Sequence, residues 1–388
     1  LVLVTSFAAA QPRDAFRQLD ELLPTPNIYR NASGAPGFAY WQQQVDYVID
    51  VRLDDETQRI TGRETITYHN NSPDELRYLW LQIDNNIFAP ESDSALVSGV
   101  PEFEDITFQR MQSLLARQEF DGSVTIASVT DASGDALDHV VVKTMMRVDL
   151  PEPLLTGESF EFNVEWSYAI NDSATVRART GFEYFEEDDN HLYEMAHWYP
   201  RLCVYSDSEG WQNKQFLGRG EFTLEFGDYL VSITVPDDHI VAATGELQNA
   251  DEVLSAAQRE RLAEARGAST PVFIVTPQEA TANESSTPTG EKTWTFRASN
   301  VRDFAWASSR KFIWDAMTER VGDRDVLCMS FWPKEGEPLW SRYSTHAIAH
   351  TLDVYSKFTF DYPYPVAISV NGPVGGMEYP MICFNGPR

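Results

Sequence analysis

The stretch Ser159-Phe-Glu-Phe-Asn-Val-Glu-Trp-Ser-Tyr-Ala-Ile170 alternates large apolar residues with polar ones. A period of two places the apolar side chains on one face, which is typical of a strand with one buried and one solvated side. Residues 45–53 alternate in the same way, and further strands are predicted at 64–70, 76–83, 139–149, 222–226, 229–235 and 293–298. Many short strands with turn residues between them favour a mainly β fold built on a large antiparallel sandwich.

Two regions depart from this period. Residues 251–266 are strong helix formers followed by Gly267, a favourable C-cap, so we predict a helical insertion there. The Pro- and Thr-rich residues 276–290 are predicted to form a loop. From about residue 301 the pattern favours helix, with one apolar stripe spaced for burial. The stripe consists of Ile348, Leu352, Tyr355 and Phe358.

Composition excludes several classes of protein. The chain has 388 residues, of which 43% are hydrophobic and 12% aromatic, and this composition is that of a globular protein. It carries 59 acidic and 30 basic side chains, for a net charge of -29. Because phosphate contacts need clustered Lys and Arg, nucleic acid and anionic membrane surfaces are both disfavoured as partners.

The N-terminal residues resemble the tail of a secretory signal. A short apolar run ends at Ala8-Ala9-Ala10, so residues 1–10 are predicted to be a signal-peptide remnant and the protein to be exported, to the periplasm or outside the cell. Residues 11–40 are predicted to form an extended lead-in. No later window has the roughly 18 uncharged apolar residues of a membrane span. Three cysteines lack metal-binding spacing, and buried thiols are expected. They are Cys203, Cys328 and Cys383.

Two patterns suggest metal sites. His346 and His350 are four residues apart with Asp353 one turn on, a spacing that zinc ligands use. A zinc peptidase helix also needs Glu directly after the first His, and Ala347 occupies that position, so a solvated helix face is favoured. The acidic run 186–189 lacks the spacing of a calcium loop, which favours a solvated loop. The sequence also lacks a nucleophile elbow, a P-loop and a dinucleotide-binding glycine motif.

The final residues contain the most informative pattern. The apolar run 366–370 leads to Gly375 and Gly376, which permit close approach of another backbone because glycine has no Cβ atom. A single carboxylate, Glu378, follows in an apolar setting. A strand edge with one carboxylate would suit an extended peptide whose free amine needs a counter-charge. From spacing alone, a simple glycine turn fits equally well.

Gly376-Met377-Glu378 resembles the exopeptidase motif of the M1 family of zinc aminopeptidases, the gluzincins related to leukotriene A4 hydrolase. Tyr362-Pro-Tyr-Pro365 is similar to the aromatic–proline lead-in of that motif, and Trp198-Tyr199-Pro200 resembles another family segment. Residues 235–247 resemble the family's Val-Pro … Val-Ala … Asn-Gly-x-Leu strand pair. The resemblance extends over about residues 40–388.

The resemblance implies a fold. It predicts a large antiparallel β-sandwich or saddle over 41–310, with the helical insertion at 251–266. The beginning of an α+β thermolysin-like catalytic domain would follow over 311–388. It also implies zinc, held by two His and one Glu of an H-E-x-x-H helix and a later Glu. No His-Glu dipeptide occurs in the chain, so these ligands are expected downstream of Arg388, and we predict no catalytic residue and no metal ligand within it.

The resemblance also assigns substrate-binding residues. Glu378 would bind the α-amino group of a peptide, while Met377 and the backbone of Gly375 and Gly376 would line the cleft. Glu194 is the candidate for a second carboxylate that shares the amine. The expected partners are peptides with a free N-terminus and the C-terminal remainder of the peptidase.

Two departures from the family pattern put the substrate preference in doubt. Tyr379 stands where most members have Asn, and Arg201-Leu202-Cys203 replaces Cys-Phe-Asp. The alternative function is a non-catalytic peptide-binding or scaffold protein on an M1-like fold. A carbohydrate-binding sandwich would explain the strands and the ten Trp but not the Gly-Gly-Met-Glu segment.

Overall fold

The computed structural model describes residues 26–97, 104, 106–386 and 388. The predicted signal remnant at 1–10 and the first part of the predicted lead-in lie outside these residues. Strands in the described part are, in chain order, β1 Gln44–Asp54, β2 Arg59–His69, β3 Leu76–Gln82, β4 Thr125–Asp131, β5 His139–Val142, β6 Met145–Leu154, β7 Ser159–Ala169, β8 Thr180–Phe185, β9 Asn190–Met195, β10 Arg201–Leu202, β11 Tyr205–Ser206, β12 Gly210–Trp211, β13 Gly227–Pro236, β14 Ile240–Ala243, β15 Glu246–Leu247, β16 Val272–Val275, β17 Glu291–Val301, β18 Trp306–Ser309, β19 Ile313–Val321, β20 Arg324–Trp332, β21 Val366–Asn371, β22 Met377–Tyr379 and β23 Ile382–Asn385.

The α-helices in the same part of the chain are α1 Asp93–Val97, α2 Phe108–Glu119, α3 Ala250–Val253, α4 Ala256–Ala265, α5 Pro277–Glu284 and α6 Leu339–Phe358. Short 3-10 helices are found at Asp84–Phe88 and Lys334–Gly336. The mainly β fold that the alternating pattern predicts is confirmed.

A seven-stranded sheet forms the framework, in the order β15-β17-β13-β1-β2-β7-β4. Neighbours in it are antiparallel except β1 and β13, which are parallel. The alternation in β7 is confirmed, since Phe162, Val164 and Trp166 are buried. Gly62 on β2 lies against the Trp166 ring, where a Cβ atom would be 2.3 Å from the nearest ring carbon. This position therefore requires glycine.

Two four-stranded sheets, β10-β3-β6-β5 and β14-β18-β9-β8, share a continuous apolar core with the seven-stranded sheet. Two tryptophan donors in this core, which would be costly to bury alone, are paired with backbone carbonyl groups. Trp166 Nε1 donates to the carbonyl oxygen of Trp198 at 3.2 Å, and Trp198 Nε1 donates to that of Phe304 at 2.7 Å. The Trp198-Tyr199-Pro200 segment thus lies in the core of the sandwich.

A six-stranded sheet, β16-β19-β20-β21-β23-β22, contains the C-terminal part of the described chain. Strands β20, β21 and β23 are parallel, and α6 connects β20 to β21. Helix α6 packs on β19, β20 and β21. The first strand of this six-stranded sheet, β16, consists of residues 272–275. In the chain it precedes β17 and β18, which belong to the other sheets.

The predicted helical character from residue 301 is wrong for residues 306–332, which form β18, β19 and β20. These strands are buried on both faces over most of their length, so they lack the alternation that marks a half-exposed strand. The predicted strand at 222–226 is also absent; only Phe226 makes an isolated bridge, to Gln44.

The predicted loop at 276–290 contains α5. Thr276 caps this helix, since its hydroxyl accepts from the Glu279 amide while the Glu279 carboxylate accepts from the Thr276 amide. Pro277 at the first helical position is compatible with the helix because no donor is needed there. The predicted helix at 251–266 is present as α3 and α4, divided at Ser255, which caps α4 with the same reciprocal pattern.

The predicted buried stripe of α6 is only partly correct. Leu352 is buried and Ile348 half-buried, but the side chains of Tyr355 and Phe358 are 68% and 84% exposed. The residues that α6 buries are Trp340, Thr345, Ala349 and Leu352. The sheet covers only part of the predicted apolar stripe of α6, so Tyr355 and Phe358 at its C-terminal end remain exposed.

Candidate functional site

The Gly-Met-Glu segment forms β22, the last strand of the six-stranded sheet. Within the described residues β22 pairs with β23 alone, so the backbone groups along its outer edge are free. Gly375 has φ +88°, a conformation that favours glycine, and no atom lies within 4 Å of a Cβ position at Gly375 or Gly376. The approach to this edge is therefore open.

Glu378 is exposed and lies on the same face of the sheet as α6. It is directly opposite Cys383 in the β22–β23 ladder, and Cys383 is opposite Ser369 in the β23–β21 ladder. Facing residues in paired strands share one side of a sheet. Ala367, two positions before Ser369, packs in one apolar cluster with Leu352 of α6. This places the Glu378 side chain on the α6 side.

Glu194 on β9 lies beneath the loop that leads from β21 to β22. Its side chain is fully buried, and Oε2 accepts a hydrogen bond from the amide of Val374 at 2.9 Å. A Cβ atom on Gly372 would lie 2.3 Å from the Glu194 carboxyl carbon. Oε1 has no hydrogen-bond partner within the described residues. Glu194 therefore supports the Gly372–Gly376 loop from inside the protein.

Burial raises the pKa of Glu194 to about 8, and this effect exceeds the opposing one of the Val374 amide. The carboxyl group is consequently protonated over much of the neutral range. Glu194 and Glu378 are the two carboxylates that the sequence assigns to substrate binding. The structure brings both to one loop, with Glu378 open to solvent and Glu194 enclosed. Their roles toward a substrate stay predictions.

A small polar cavity of about 180 Å³ lies beside Glu378 and Tyr379. Arg201 forms one wall and makes buried ion pairs with Asp84 and Asp303. Sequence reasoning had noted Arg201 only as a departure from the family pattern. An arginine directly after the buried Trp198-Tyr199-Pro200 segment is a signal for such a network, because a buried guanidinium needs carboxylate partners.

A larger groove of about 810 Å³ lies between α6 and the strands β21, β23 and β22. Most of its wall is apolar, with aromatic and aliphatic side chains on both sides.

The residues present do not fit a zinc site. Within residues 26–97, 104, 106–386 and 388, no group of three or more His, Cys, Asp or Glu side chains is arranged to hold a metal ion. His346 and His350 are exposed on α6, and Asp353 forms an ion pair with Lys357 at 2.6 Å.

Asp188 corrects the expectation of a solvated acidic run. It pairs with the completely buried Lys311 and, at 2.8 Å, with Lys334. Glu284 forms ion pairs with the same two lysines. A buried ammonium group needs several carboxylate partners to offset its lost hydration. The acidic run thus contributes to an internal ion cluster, which the sequence pattern alone did not reveal.

The expectation of buried thiols holds for two of the three cysteines. Cys203 and Cys328 are buried, and burial raises the pKa of the Cys328 thiol to about 12. Cys383 is half-buried on β23, and burial raises its pKa as well. All three are free thiols. No helix in the described part is long and apolar enough to cross a membrane.

Neither a family model nor a curated protein matches the sequence. Solved structures do match the fold. The M1 zinc metallopeptidase from Deinococcus radiodurans is 14% identical, with a TM-score of 0.51 over 90% of this chain and 61% of its own. A two-domain M1 zinc metallopeptidase mutant bound to L-tryptophan is 14% identical, with a TM-score of 0.52 over 91% of this chain and 62% of its own.

The same mutant bound to L-arginine is 15% identical, with a TM-score of 0.51 over 90% of this chain and 62% of its own. The chain has an M1 metallopeptidase fold. This agreement confirms the predicted mainly β fold with a large antiparallel sandwich. The chain spans about 62% of the length of the solved chains it matches.

Proposed function

We propose that this chain binds the free N-terminus of a peptide as the substrate-recognition part of an M1-type zinc aminopeptidase related to leukotriene A4 hydrolase. The observation that carries the proposal is the exposed carboxylate of Glu378 on an edge strand whose outer side is unpaired. An extended peptide can add to such an edge through main-chain hydrogen bonds. The M1 metallopeptidase fold supports the same interpretation.

Glu378 would bind the ammonium group of the first residue and so set the register of the peptide on β22. A charge-assisted bond of this kind contributes about 1.5–3 kcal/mol. Gly375 and Gly376 would let the peptide backbone approach, since neither position has a side chain to block it. Glu194 holds the preceding loop in place. Its assignment as a second amine ligand requires that the loop move, because its carboxyl group is enclosed.

The zinc-bearing part is proposed to come from polypeptide outside these 388 residues, because the described residues do not fit a zinc site. Zinc, when bound, would polarise the scissile carbonyl group. The 388-residue chain alone is then expected to release no chromophore from aminoacyl 4-nitroanilides. We also propose that the protein is exported. A peptide-binding protein without hydrolysis remains the alternative.

Calorimetric titration with a tripeptide tests the proposal. The free amine should bind, and the N-acetylated tripeptide should bind about 10–150-fold more weakly, because acetylation removes the positive charge. Glu378→Gln should reduce affinity for the free amine by the same factor and leave the acetylated peptide unaffected.

Glu161→Gln is the matched control, since Glu161 is an exposed strand glutamate on the sandwich. Equal affinity of wild-type protein for both tripeptides would contradict amine recognition. If amine recognition holds and the polypeptide that completes the protein lacks H-E-x-x-H, the alternative function would replace the peptidase.

A further inference from the structure

The small polar cavity beside Glu378 is bordered by three arginines, Arg179, Arg201 and Arg302. The chain has only 30 basic side chains against 59 acidic ones, so three guanidinium groups around one cavity are a local exception to its charge. The volume of about 180 Å³ is that of roughly six water molecules at about 30 Å³ each. A cavity of this size suits a single amino-acid side chain and is too small for a longer stretch of peptide.

Arg201 is already neutralised by the protein. It is buried and forms ion pairs with Asp84 and Asp303. Because two carboxylates hold this guanidinium group, it forms part of the cavity wall and does not itself attract an anion. Any attraction of the cavity for an anion therefore depends on the other two arginines.

Arg179 has a partner that competes only weakly. Its Nη2 atom lies 2.5 Å from Oε1 of Glu221, but the Glu221 side chain is 68% exposed while that of Arg179 is 22% exposed. Solvent screens an ion pair with an exposed carboxylate, so such a pair contributes little. A carboxylate that entered the cavity would compete with Glu221 for the same guanidinium group.

Arg302 forms no ion pair with any residue that the structure describes. Its Nη1 atom donates to the Thr223 hydroxyl at 3.2 Å, and its guanidinium carbon lies 4.6 Å from the centroid of the Phe226 ring. These contacts orient the side chain without neutralising it. Glu225 interacts with Arg302 electrostatically, but burial raises the pKa of Glu225 to about 7, which reduces its negative charge. Arg302 thus offers the cavity a positioned group with spare donors.

Once Glu378 has bound an ammonium group, Arg302 is the charged group of the cavity that still lacks a partner. We propose that the cavity takes the side chain of the first residue of the peptide and selects an acidic one, aspartate or glutamate, through Arg302 with Arg179 beside it. Such a residue carries an ammonium group and a carboxylate, which match Glu378 and Arg302 in one cavity. A planar guanidinium group is suited to bind a carboxylate through two parallel hydrogen bonds. This subsite rests on the proposed function.

Other first residues fit the cavity less well. A lysine or arginine side chain would bring a like charge close to Arg302 and Arg179. An apolar side chain would displace water from the two guanidinium groups without replacing its hydrogen bonds, which is costly. An amide would accept a hydrogen bond but would supply no charge. Glutamine is therefore the closest uncharged match for glutamate in a test.

Calorimetric titration of the 388-residue chain with four tripeptides separates the subsite from amine recognition. The peptides are Glu-Ala-Ala and Gln-Ala-Ala, each with a free and with an acetylated N-terminus, and all are C-terminal amides so that the Glu side chain is the only carboxylate. The Glu peptide with a free amine should bind about tenfold more tightly than the Gln peptide. This is the lower end of the effect of a charge-assisted hydrogen bond, since Arg302 is exposed.

Variants assign the preference to the cavity. Arg302→Met should reduce the preference for Glu over Gln to about threefold or less, and should not change the factor by which acetylation weakens binding. Arg302→Lys should retain most of the preference, because it keeps the charge. Arg297→Met is the matched control, since Arg297 is exposed on β17 and does not border the cavity. Thermal unfolding checks that each variant is folded.

Equal affinity of the wild-type chain for the Glu and Gln peptides would overturn the acidic subsite, and so would a preference that Arg302→Met leaves undiminished. If acetylation weakens binding while Glu and Gln peptides bind equally, amine recognition stands and the subsite fails. If the preference for Glu persists and acetylation has no effect, the subsite stands and amine recognition fails.

Discussion

The two ends of the six-stranded sheet differ in how completely they are packed. At the β19–β20 end, one face packs on α6 and the other on the sandwich core, and nearly every side chain is buried. At the β22 end, the face toward α6 carries exposed residues, including Glu378. The comparison teaches that one sheet can combine a fully packed core with an open edge. The β19–β20 end, called the finished end below, stabilises the fold through its buried side chains. The β22 end leaves side chains such as Glu378 exposed to solvent.

The largest effect is expected at the finished end. Trp314 on β19 is 3% exposed and stacks on Phe331 with 5.0 Å between ring centroids. Trp314→Ala should lower the free energy of unfolding by about 3–5 kcal/mol, because it leaves a large cavity. Urea denaturation measures the change. Phe358→Ala, at an exposed position of α6, should change it by less than about 0.5 kcal/mol. Similar losses in the two variants would contradict the difference between the ends.

The next effect is a pH dependence from the loop support. The pKa of Glu194 is raised to about 8 in the folded protein, above its value of 4.5 in the unfolded chain. Between these values the folded state binds more protons, so unfolding free energy falls as pH rises, by up to about 1.4 kcal/mol per unit. From pH 5.5 to 7.5 the contribution is roughly 2–3 kcal/mol.

Glu194→Gln should remove this part of the slope in urea denaturation at several pH values. Asp315, whose pKa burial raises to about 7, contributes its own slope at the finished end, and Asp315→Asn is the matched variant. Burial also raises the pKa of Glu64, which gives a slope in the same direction that both variants retain. An unchanged slope in Glu194→Gln would contradict the enclosed, protonated carboxyl group.

A smaller effect compares two glycines in the loop to β22. Gly372→Ala should cost about 1–3 kcal/mol of unfolding free energy, since its Cβ atom would overlap the Glu194 carboxyl group. Gly376→Ala meets no atom within 4 Å and should be nearly neutral for stability. Thermal unfolding of both variants checks the prediction. A stable Gly372→Ala protein would show that the loop is not held by Glu194.

Stability should respond least to Glu378→Gln. The side chain is exposed on a three-residue edge strand, so the unfolding free energy should change by less than about 0.5 kcal/mol. Calorimetric titration of the same variant should still show the predicted loss of affinity for a free amine. A variant that unfolds more easily would place Glu378 in the framework and not at the binding edge.

Sequence patterns revealed the half-exposed strands well, because alternation in β1 and β7 reports one buried face directly. They failed for β19 and β20, where both faces are buried and no period remains. They also overlooked the helix that starts after Thr276, although its capping residues were visible. Local signals thus predicted elements with one solvated side, while burial by distant strands obscured the others.

The candidate site was predicted unevenly for a similar reason. Glu378 was found because a short motif carries it. The enclosure of Glu194 depends on Gly372 and Val374, which lie about 180 residues later in the chain. The Lys311 cluster likewise joins Asp188 and Glu284 from separate segments. Contacts of this kind have no local pattern in sequence.

The parallel pairing of β1 with β13 has a consequence for synthesis of the protein. Strand β1 ends at Asp54, and its partner begins at Gly227, so about 170 residues must be made before the centre of the seven-stranded sheet can close. At roughly 5–20 residues per second this takes about 10–35 seconds. During that interval one edge of β1 has no partner. The growing chain must keep this edge from pairing elsewhere until β13 arrives.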